Sequence, residues 1–97
     1  MRVISIKKLH EFFEIHHDSK QALKAWNKVA RDSSWKSCNE IKEQYKNASI
    51  VGNNRIVFNI CGNKYRLIVS INFDTQIIYI RFIGTHKQYD KIDAKTI

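Results

Sequence analysis

Over residues 55–83 the chain alternates β-branched or aromatic residues with basic and polar ones, and turn-forming residues interrupt the pattern twice. The pattern predicts three β-strands. They cover about residues 55–61, 64–73 and 76–83. Gly62–Asn63 suits a two-residue type II′ turn, because Gly tolerates a positive φ at the first central position. With a second turn centred on Asp74–Thr75, the segment predicts an antiparallel sheet.

These two turns predict the register of the sheet. The expected cross-strand pairs are Arg55 with Ser70, Asn59 with Arg66, Ser70 with Tyr79, Ile68 with Arg81, and Arg66 with Ile83. Because side chains alternate between the faces of a strand, one face is apolar and the other is basic. The apolar face carries Ile56, Phe58, Ile60, Tyr65, Leu67, Val69, Ile71, Ile78, Ile80 and Phe82. The basic face carries Arg55, Asn59, Lys64, Arg66, Tyr79 and Arg81. We expect the apolar face to be core and the basic face to be open.

The first half of the chain has helical spacing. The apolar positions of residues 6–16 predict a helix over about 5–17, with Ser5 as its N-cap. A second helix follows Asp18 or Ser19, and its apolar stripe consists of Ala22, Leu23, Trp26, Val29 and Ala30. Cys38, Ile41 and Tyr45, at spacings of three and four, predict a short third helix. The expected fold is α+β, with N-terminal helices packed on one face of a small antiparallel sheet.

The length and the charge of the chain limit the number of domains and the classes of partner that we expect. Ninety-seven residues are expected to form one domain, residues 1–97. Seventeen Lys and Arg against nine Asp and Glu give a formal charge of +8, which favours a polyanionic partner, in particular a nucleic acid. No apolar run reaches the roughly 20 residues that span a bilayer, and residues 1–16 lack the apolar region of a secretory leader. We therefore expect a cytoplasmic protein with no membrane partner.

No metal or cofactor is expected. Cys38 and Cys61 lie far apart and form no metal-binding spacing with histidine. His16 and His17 are adjacent, and adjacent residues of a helix point about 100° apart, so they do not share one face. We interpret the two histidines as helix-end residues.

The basic face and the residues that follow it predict RNA cleavage. His86 is the best candidate for the general acid or base, because its unperturbed pKa lies nearest to working pH. Arg66 and Arg81, expected one residue pair apart, would stabilise the charge that develops on one phosphate. Lys64 would assist, or act as a base if its pKa is depressed. Tyr89 would orient the phosphate or stack on a base, and shares a face with His86 if a helical turn follows Gly84.

Two segments resemble a known family. They are Phe58-Asn59-Ile60-Cys61-Gly62-Asn63-Lys64-Tyr65-Arg66 and Thr85-His86-Lys87-Gln88-Tyr89-Asp90. Both are similar to motifs of the HigB-type toxins in the RelE/ParE superfamily of bacterial toxins. The resemblance implies a RelE-like fold and an mRNA interferase that cuts messages on the translating ribosome. It also implies a helix-turn-helix antitoxin, HigA-like, as partner.

The predicted site therefore has two parts. The catalytic candidates are Arg66, His86, Arg81, Tyr89 and Lys64, and the RNA-binding candidates are Arg55, Asn59, Lys87 and Lys91. Cleavage would proceed without a metal by attack of a ribose 2′-OH, giving 2′,3′-cyclic phosphate and 5′-hydroxyl ends. Two alternatives stay open. One is a ParE-like toxin that poisons a protein target such as DNA gyrase, and the other is an RNA-binding module without chemistry.

Overall fold

The computed structural model describes residues 1–97, and five segments form one mixed sheet. The strands are β1 (Arg2–Ile4), β2 (Ser49–Gly52), β3 (Arg55–Ile60), β4 (Tyr65–Asn72) and β5 (Ile77–Thr85). Their order is β1-β5-β4-β3-β2, with β1 parallel to β5 and the other neighbours antiparallel. The three predicted strands are confirmed. The sheet nevertheless has two more strands than the sequence predicts, one added at each edge.

Four helices complete the fold. They are α1 (Lys7–Ile15), α2 (Lys20–Asp32), α3 (Cys38–Gln44) and α4 (His86–Tyr89), with a 3₁₀ turn at His17–Ser19 between the first two. All three predicted N-terminal helices are present. Ser5 is not the predicted N-cap, because it takes a positive φ of 70° and the helix begins after Ile6 without a side-chain cap. None of the helices combines the length and apolar character needed to cross a membrane.

The core lies between the helices and one face of the sheet. Leu9 and Phe13 of α1 are buried with Leu23, Trp26 and Ala30 of α2. The sheet contributes Ile56, Phe58, Ile60, Tyr65, Leu67, Val69, Ile71, Ile78 and Ile80. Full burial of one such side chain contributes about 1.5–3 kcal/mol, so the apolar stripe of α2 determines which helix face meets the sheet. The expected RelE-like α+β arrangement, with helices on one sheet face, is confirmed.

The hairpin between β3 and β4 has the predicted register. Arg55 lies opposite Ser70, and Asn59 lies opposite Arg66. The N–H of Lys64 donates to Cys61 O at 3.3 Å, and Gly62 takes a φ of 67°, as a turn centred on Gly62–Asn63 requires. Both faces of β3 and β4 are therefore assigned correctly by side-chain alternation.

The register between β4 and β5 departs from the prediction at Arg81. Ser70 lies opposite Tyr79 as expected, but Ile68 lies opposite Phe82 and Arg66 opposite Gly84. Arg81 is the extra residue of a β-bulge, and such a residue shifts every later position by one. Phe82 was predicted to be core and instead lies on the opposite face with Ile68. Ile83 packs against the core in its place.

Asp18 ties the helices to the hairpin. The Tyr65 hydroxyl donates to Asp18 Oδ1 at 2.6 Å, and the Lys64 ammonium pairs with Asp18 Oδ2. Ser19, at the predicted cap position of α2, bonds its hydroxyl to His16 O at 2.7 Å instead of to the helix. The 3₁₀ turn between α1 and α2 is thereby attached to the start of β4.

Candidate active site

The face of the sheet opposite the helices, here called the open face, presents Arg55, Val57, Asn59, Arg66, Ile68, Ser70 and Tyr79. At one end of this face β5 runs directly into α4, and Thr85 caps the helix. The Thr85 hydroxyl accepts from the Gln88 N–H at 3.2 Å, and Gln88 Oε1 accepts from the Thr85 N–H at 2.9 Å. This capping box satisfies two backbone donors of a helix only one turn long. The predicted helical turn after β5 is confirmed, and His86 and Tyr89 lie three residues apart on it.

His86 is paired with a carboxylate that was not among the predicted site residues. Its Nδ1 lies 3.0 Å from Oδ2 of Asp90, and the two side chains are 53% and 58% exposed. The backbone N–H of His86 donates to Lys64 O at 3.3 Å, which attaches α4 to the start of β4. Because Asp90 engages Nδ1, Nε2 is the nitrogen free to exchange a proton with a ligand. The spacing of four residues is the signal by which Asp90 could have been found.

Gly84 brings this end of β5 close to α4. A Cβ at Gly84 would lie 2.5 Å from Cζ of Phe82 and 2.7 Å from Oε1 of Gln88. Both distances are too short for a real side chain. Gly84 does not take a positive φ and continues β5. Its role is close packing opposite Arg66, and the turn itself comes from the Thr85 cap.

Arg66 lies beside Tyr89 at the same end. Nη1 of Arg66 donates to Asn63 O at 2.9 Å and to Tyr65 O at 3.3 Å. Its guanidinium lies 5.8 Å from the centre of the Tyr89 ring, within the range of a cation–π contact. Arg66, His86, Tyr89 and Asp90 therefore share one end of the open face, and we call them the His86 cluster.

The contacts of Lys64 do not favour a role as a general base. Its hydrogen bond with Asp18 raises the pKa of the Lys64 ammonium, and the charge of Asp18 adds to the effect. The same hydrogen bond lowers the pKa of Asp18, with a second contribution from Tyr65. The condition set for Lys64 as a base was a depressed pKa, and the structure gives the opposite direction. Lys64 serves the contact between the hairpin and the 3₁₀ turn.

Arg81 lies at the other end of the open face. Its Nε donates to Ser70 Oγ at 2.9 Å, and its guanidinium lies 5.3 Å from the centre of the Tyr79 ring. The bulge places Arg81 three residues from Gly84, the residue opposite Arg66, which is about 10 Å along the strand. The predicted spacing of one residue pair between Arg66 and Arg81 is wrong, and each guanidinium is held by its own partners.

A polar cleft surrounds Arg81. We call it the Arg81 cleft, and its lining includes Asn53, Asn54, Arg55, Ser70, Asn72, Tyr79 and Arg81. Nε of Arg81 is engaged by Ser70, while no hydrogen bond is found for its two terminal nitrogens. The cleft therefore offers cationic and amide groups to a polar ligand. It has no histidine among its lining residues.

The C-terminal residues cover part of the face that was predicted to be open. Arg55 donates from Nε and Nη2 to Ile97 O at 3.2 and 2.7 Å, and Asn53 Nδ2 donates to Lys95 O at 3.1 Å. Val57 and Ile68, which point to this face, are only 3% and 0% exposed. This part of the face is therefore not open, and the C-terminal residues occupy the Arg55 guanidinium that was predicted to bind RNA.

The three other predicted RNA-binding residues are accessible. Asn59, Lys87 and Lys91 are all exposed, and neither lysine forms a salt bridge. Lys87 belongs to α4 and Lys91 follows it, so both flank the His86 cluster. Nowhere in the structure do three His, Cys, Asp or Glu side chains form a group that could hold a metal ion.

Comparison with known proteins gives the family. Residues 19–92, which contain the whole His86 cluster, match the family model described as "HigB_toxin, RelE-like toxic component of a toxin-antitoxin system". The chain is also similar to "mRNA interferase toxin HigB" of Escherichia coli (strain K12), with 45% identity over 38 residues, which is 39% of this chain and 36% of that protein. The proteins named "mRNA interferase HigB" of Escherichia coli O157:H7 and Shigella flexneri match with the same figures.

These matches to curated relatives span about a third of the relatives' own length. The family match covers most of the chain, including α2, α3, the strands β2 to β5 and α4. The chain belongs to the HigB_toxin family, the RelE-like toxic components of toxin–antitoxin systems.

Proposed function

We propose that this toxin is an mRNA interferase, an endoribonuclease that cleaves messages without a metal ion. The observation that carries the proposal is the His86 cluster, in which a histidine paired with Asp90 lies at the same end of the face as Arg66 and Tyr89. The name mRNA interferase borne by the curated relatives supports messenger RNA as the substrate. The chemistry follows from the side chains present.

Proton transfer is assigned to His86. A neutral imidazole whose Nδ1–H donates to the Asp90 carboxylate has its lone pair on Nε2, which suits removal of the proton from a ribose 2′-OH. The carboxylate also stabilises the imidazolium that forms. The 2′-oxygen then attacks the adjacent phosphorus, and the bond from phosphorus to the 5′-oxygen breaks. The leaving oxygen takes up a proton, and the products carry 2′,3′-cyclic phosphate and 5′-hydroxyl ends.

Charge stabilisation is assigned to Arg66. Only Nη1 of its guanidinium is occupied by backbone carbonyls, so its other N–H groups remain to bind the phosphate as negative charge develops. The Tyr89 ring lies against the guanidinium and limits its rotation. Tyr89 also offers a phenol to the phosphate and an aromatic surface to a base.

The remaining basic residues bind the RNA on either side of the cleaved bond. Lys87 and Lys91 lie next to the His86 cluster, Asn59 lies opposite Arg66, and Arg81 lies further along the open face. A net charge of +8 supplies the long-range attraction to the RNA backbone. Arg55 contributes less than its sequence position suggests, because Ile97 occupies its guanidinium.

The proposal also covers where the toxin acts, its action on messages at the ribosome, and the type of its antitoxin. The toxin acts in the cytoplasm on messages that are being translated by the ribosome, as the family resemblance implies. Its antitoxin is a helix-turn-helix protein of HigA type. All three rest on analogy within the superfamily.

The test is induction of the wild-type toxin and two variants in bacteria, with growth and the 5′ ends of cellular RNA as readouts. His86→Ala removes the proton-transfer group, and His17→Ala, which removes an exposed histidine in the 3₁₀ turn away from the site, is the matched control. We expect new 5′ ends within translated messages for the wild type and for His17→Ala, and none for His86→Ala.

Three results would change the assignment. Equal cutting by the wild type and His86→Ala would remove His86 from the chemistry. Growth arrest with intact messages would indicate a protein target such as DNA gyrase. RNA binding without cleavage or growth arrest would indicate a non-catalytic RNA-binding module.

A further inference from the structure

The outer edge of β3 is only partly covered. β2 pairs with β3 as far as Val57, so Phe58, Asn59 and Ile60 have a strand neighbour only on the β4 side. In an antiparallel ladder alternate residues direct their N–H and C=O to opposite neighbours, so at least one of these three points them to the uncovered side. No loop or side chain donates to or accepts from the backbone of the three residues.

A groove runs along this uncovered edge. Its lining combines one side of α2, Tyr45 after α3, and the successive β3 residues Phe58, Asn59 and Ile60. Phe58 and Ile60 belong to the core face and Asn59 to the open face, so only a groove along the strand edge contacts all three. We call it the β3-edge groove. Ala22, Ala25 and Val29 supply small apolar side chains on the α2 side, and no charged residue lines the groove.

A buried donor without a partner lies in the wall of the groove. Trp26 is 2% exposed and lines the groove, and its indole Nε1 has no hydrogen-bond partner. A buried N–H that lacks an acceptor costs about 1–3 kcal/mol. A bound segment that brings a carbonyl near this edge gives the indole an acceptor and relieves that cost.

The outer edge of β5 differs from the outer edge of β3. There β1 covers Ile77–Tyr79, and the Lys8 ammonium reaches Arg81 O at 3.5 Å. The groove beside this edge has three charged lining residues, Lys8, Glu11 and Arg81, in addition to Phe12, Ile15, Phe82 and Ile83. Charged side chains at a strand edge discourage pairing with another chain. No charged side chain lines the groove at the β3 edge, so this edge is available for pairing with another chain.

We propose that the β3-edge groove binds an extended segment of the antitoxin, which adds a strand to β3 at Phe58–Ile60. Apolar side chains of the segment fill the space beside Ala25 and Val29, and acidic residues flank them. The acidic character follows from the +8 charge of the toxin. The proposal rests on membership of a toxin–antitoxin family and is independent of the nuclease assignment.

The test measures binding of the purified antitoxin encoded beside this toxin. Ala25→Arg places a long cation in the groove from an exposed helix position, and Gln21→Arg adds the same charge one turn earlier on α2, outside the groove. We expect Ala25→Arg to weaken binding by about tenfold or more, equivalent to at least ~1.4 kcal/mol. Gln21→Arg should bind as the wild type does. Equal affinity of all three toxins would overturn the proposal.

Amide hydrogen exchange of the wild-type complex provides a measurement that needs no variant. We expect the antitoxin to protect amides of Phe58–Ile60 and to leave the outer edge of β5 unchanged. Protection confined to the open face and α4 would place the antitoxin elsewhere and overturn the proposal. A toxin dimer broken by Ala25→Arg, with unchanged antitoxin binding, would assign the groove to a second copy and would also overturn it.

Failure here can be told apart from failure of the nuclease assignment. If Ala25→Arg arrests growth in the absence of antitoxin and produces the same RNA 5′ ends as the wild-type toxin, the variant folds and retains its activity. The antitoxin-binding result then reports on the groove alone.

Discussion

Each end of the open face holds an arginine beside a tyrosine, but the two ends are built by different means. At the His86 end, local interactions form the Thr85–Gln88 capping box, the His86–Asp90 pair and the carbonyl contacts of Arg66, and the bond from His86 N–H to Lys64 O attaches α4 to β4. At the Arg81 end, a bulge and the returning C-terminal residues determine where Arg81 and Arg55 point. The first end combines a histidine for proton transfer with a cation, whereas the second has no histidine and combines cations and amides with the Asp74 carboxylate. This difference separates a site for chemistry from a site for binding.

The largest expected effect is loss of chemistry at the His86 end. His86→Ala removes the proposed base and Arg66→Ala removes the cation assigned to charge stabilisation, so we expect each to lower the cleavage rate by about 10²–10⁴-fold. Both side chains lie outside the hydrophobic core, and the far-UV circular dichroism should not change. A loss of helical signal in either variant would identify the residue as structural.

Arg81→Ala should affect binding far more than the chemical step. We expect a decrease in RNA affinity, with the salt dependence of binding reduced by about one phosphate contact, and little change in the rate at saturating RNA. A rate loss as large as that of His86→Ala would break the distinction between the two ends.

Asp90→Asn tests whether the cleavage rate depends on the contact by which Asp90 positions His86. The amide keeps the size of the side chain but no longer supports the imidazolium, so we expect roughly a tenfold to hundredfold lower rate with unchanged RNA affinity. Asp93→Asn, an exposed carboxylate three residues further on, is the control. If the two variants were equally active, the His86–Asp90 contact would have no part in catalysis.

Gly84→Ala tests the close packing that joins β5 to α4. The added methyl would meet Phe82 and Gln88, and we expect a loss of about 1–3 kcal/mol in the free energy of unfolding, measured by urea denaturation, together with reduced cleavage. Gly62→Ala is the control, because Gly62 has a φ of 67° and no atom within 4 Å of a new Cβ. Backbone strain should destabilise that variant without changing the cleavage rate of the folded protein.

The smallest effect concerns the pH dependence of stability through Asp18. Because the folded-state pKa of Asp18 is lowered, its contribution to stability is present above the unfolded-state pKa and is lost as the pH falls through the folded-state pKa. Lys64 has a raised folded-state pKa, so its contribution disappears only as the pH rises above the ordinary lysine range. The melting-temperature difference between wild type and Asp18→Asn should therefore be present at neutral pH and vanish in acid. A difference that grew in acid would contradict the assigned direction.

The local features of this molecule could be predicted from its sequence. Gly62–Asn63 and side-chain alternation gave the register of β3 and β4, and the spacing of His86 and Tyr89 gave the helical turn after β5. β1 and β2 escaped prediction because strands of three and four residues carry too little periodicity. The parallel pairing of β1 with β5 also joins opposite ends of the chain.

The features that make the two ends of the open face differ could not be predicted from the sequence pattern. No residue type marks the bulge at Arg81, so alternation placed Phe82 in the core and Arg81 too close to Arg66. The contact of Arg55 with Ile97 joins positions about 40 apart, which spacing alone does not reveal. The raised pKa of Lys64 could not be predicted for a similar reason, because its partner Asp18 lies in the distant 3₁₀ turn.

The most direct test of the His86 cluster as an RNA-cleaving site is the terminal chemistry of the fragments it makes. Messages cut by the toxin in a translation extract would be labelled at their 5′ ends by polynucleotide kinase, with and without prior phosphatase treatment. We predict 5′-hydroxyl ends that label without phosphatase, 2′,3′-cyclic phosphate on the upstream fragments, and resistance of a message carrying a 2′-deoxynucleotide at the cleavage site. Fragments with 5′-phosphate ends, or cleavage of the 2′-deoxy message, would contradict attack by the ribose hydroxyl.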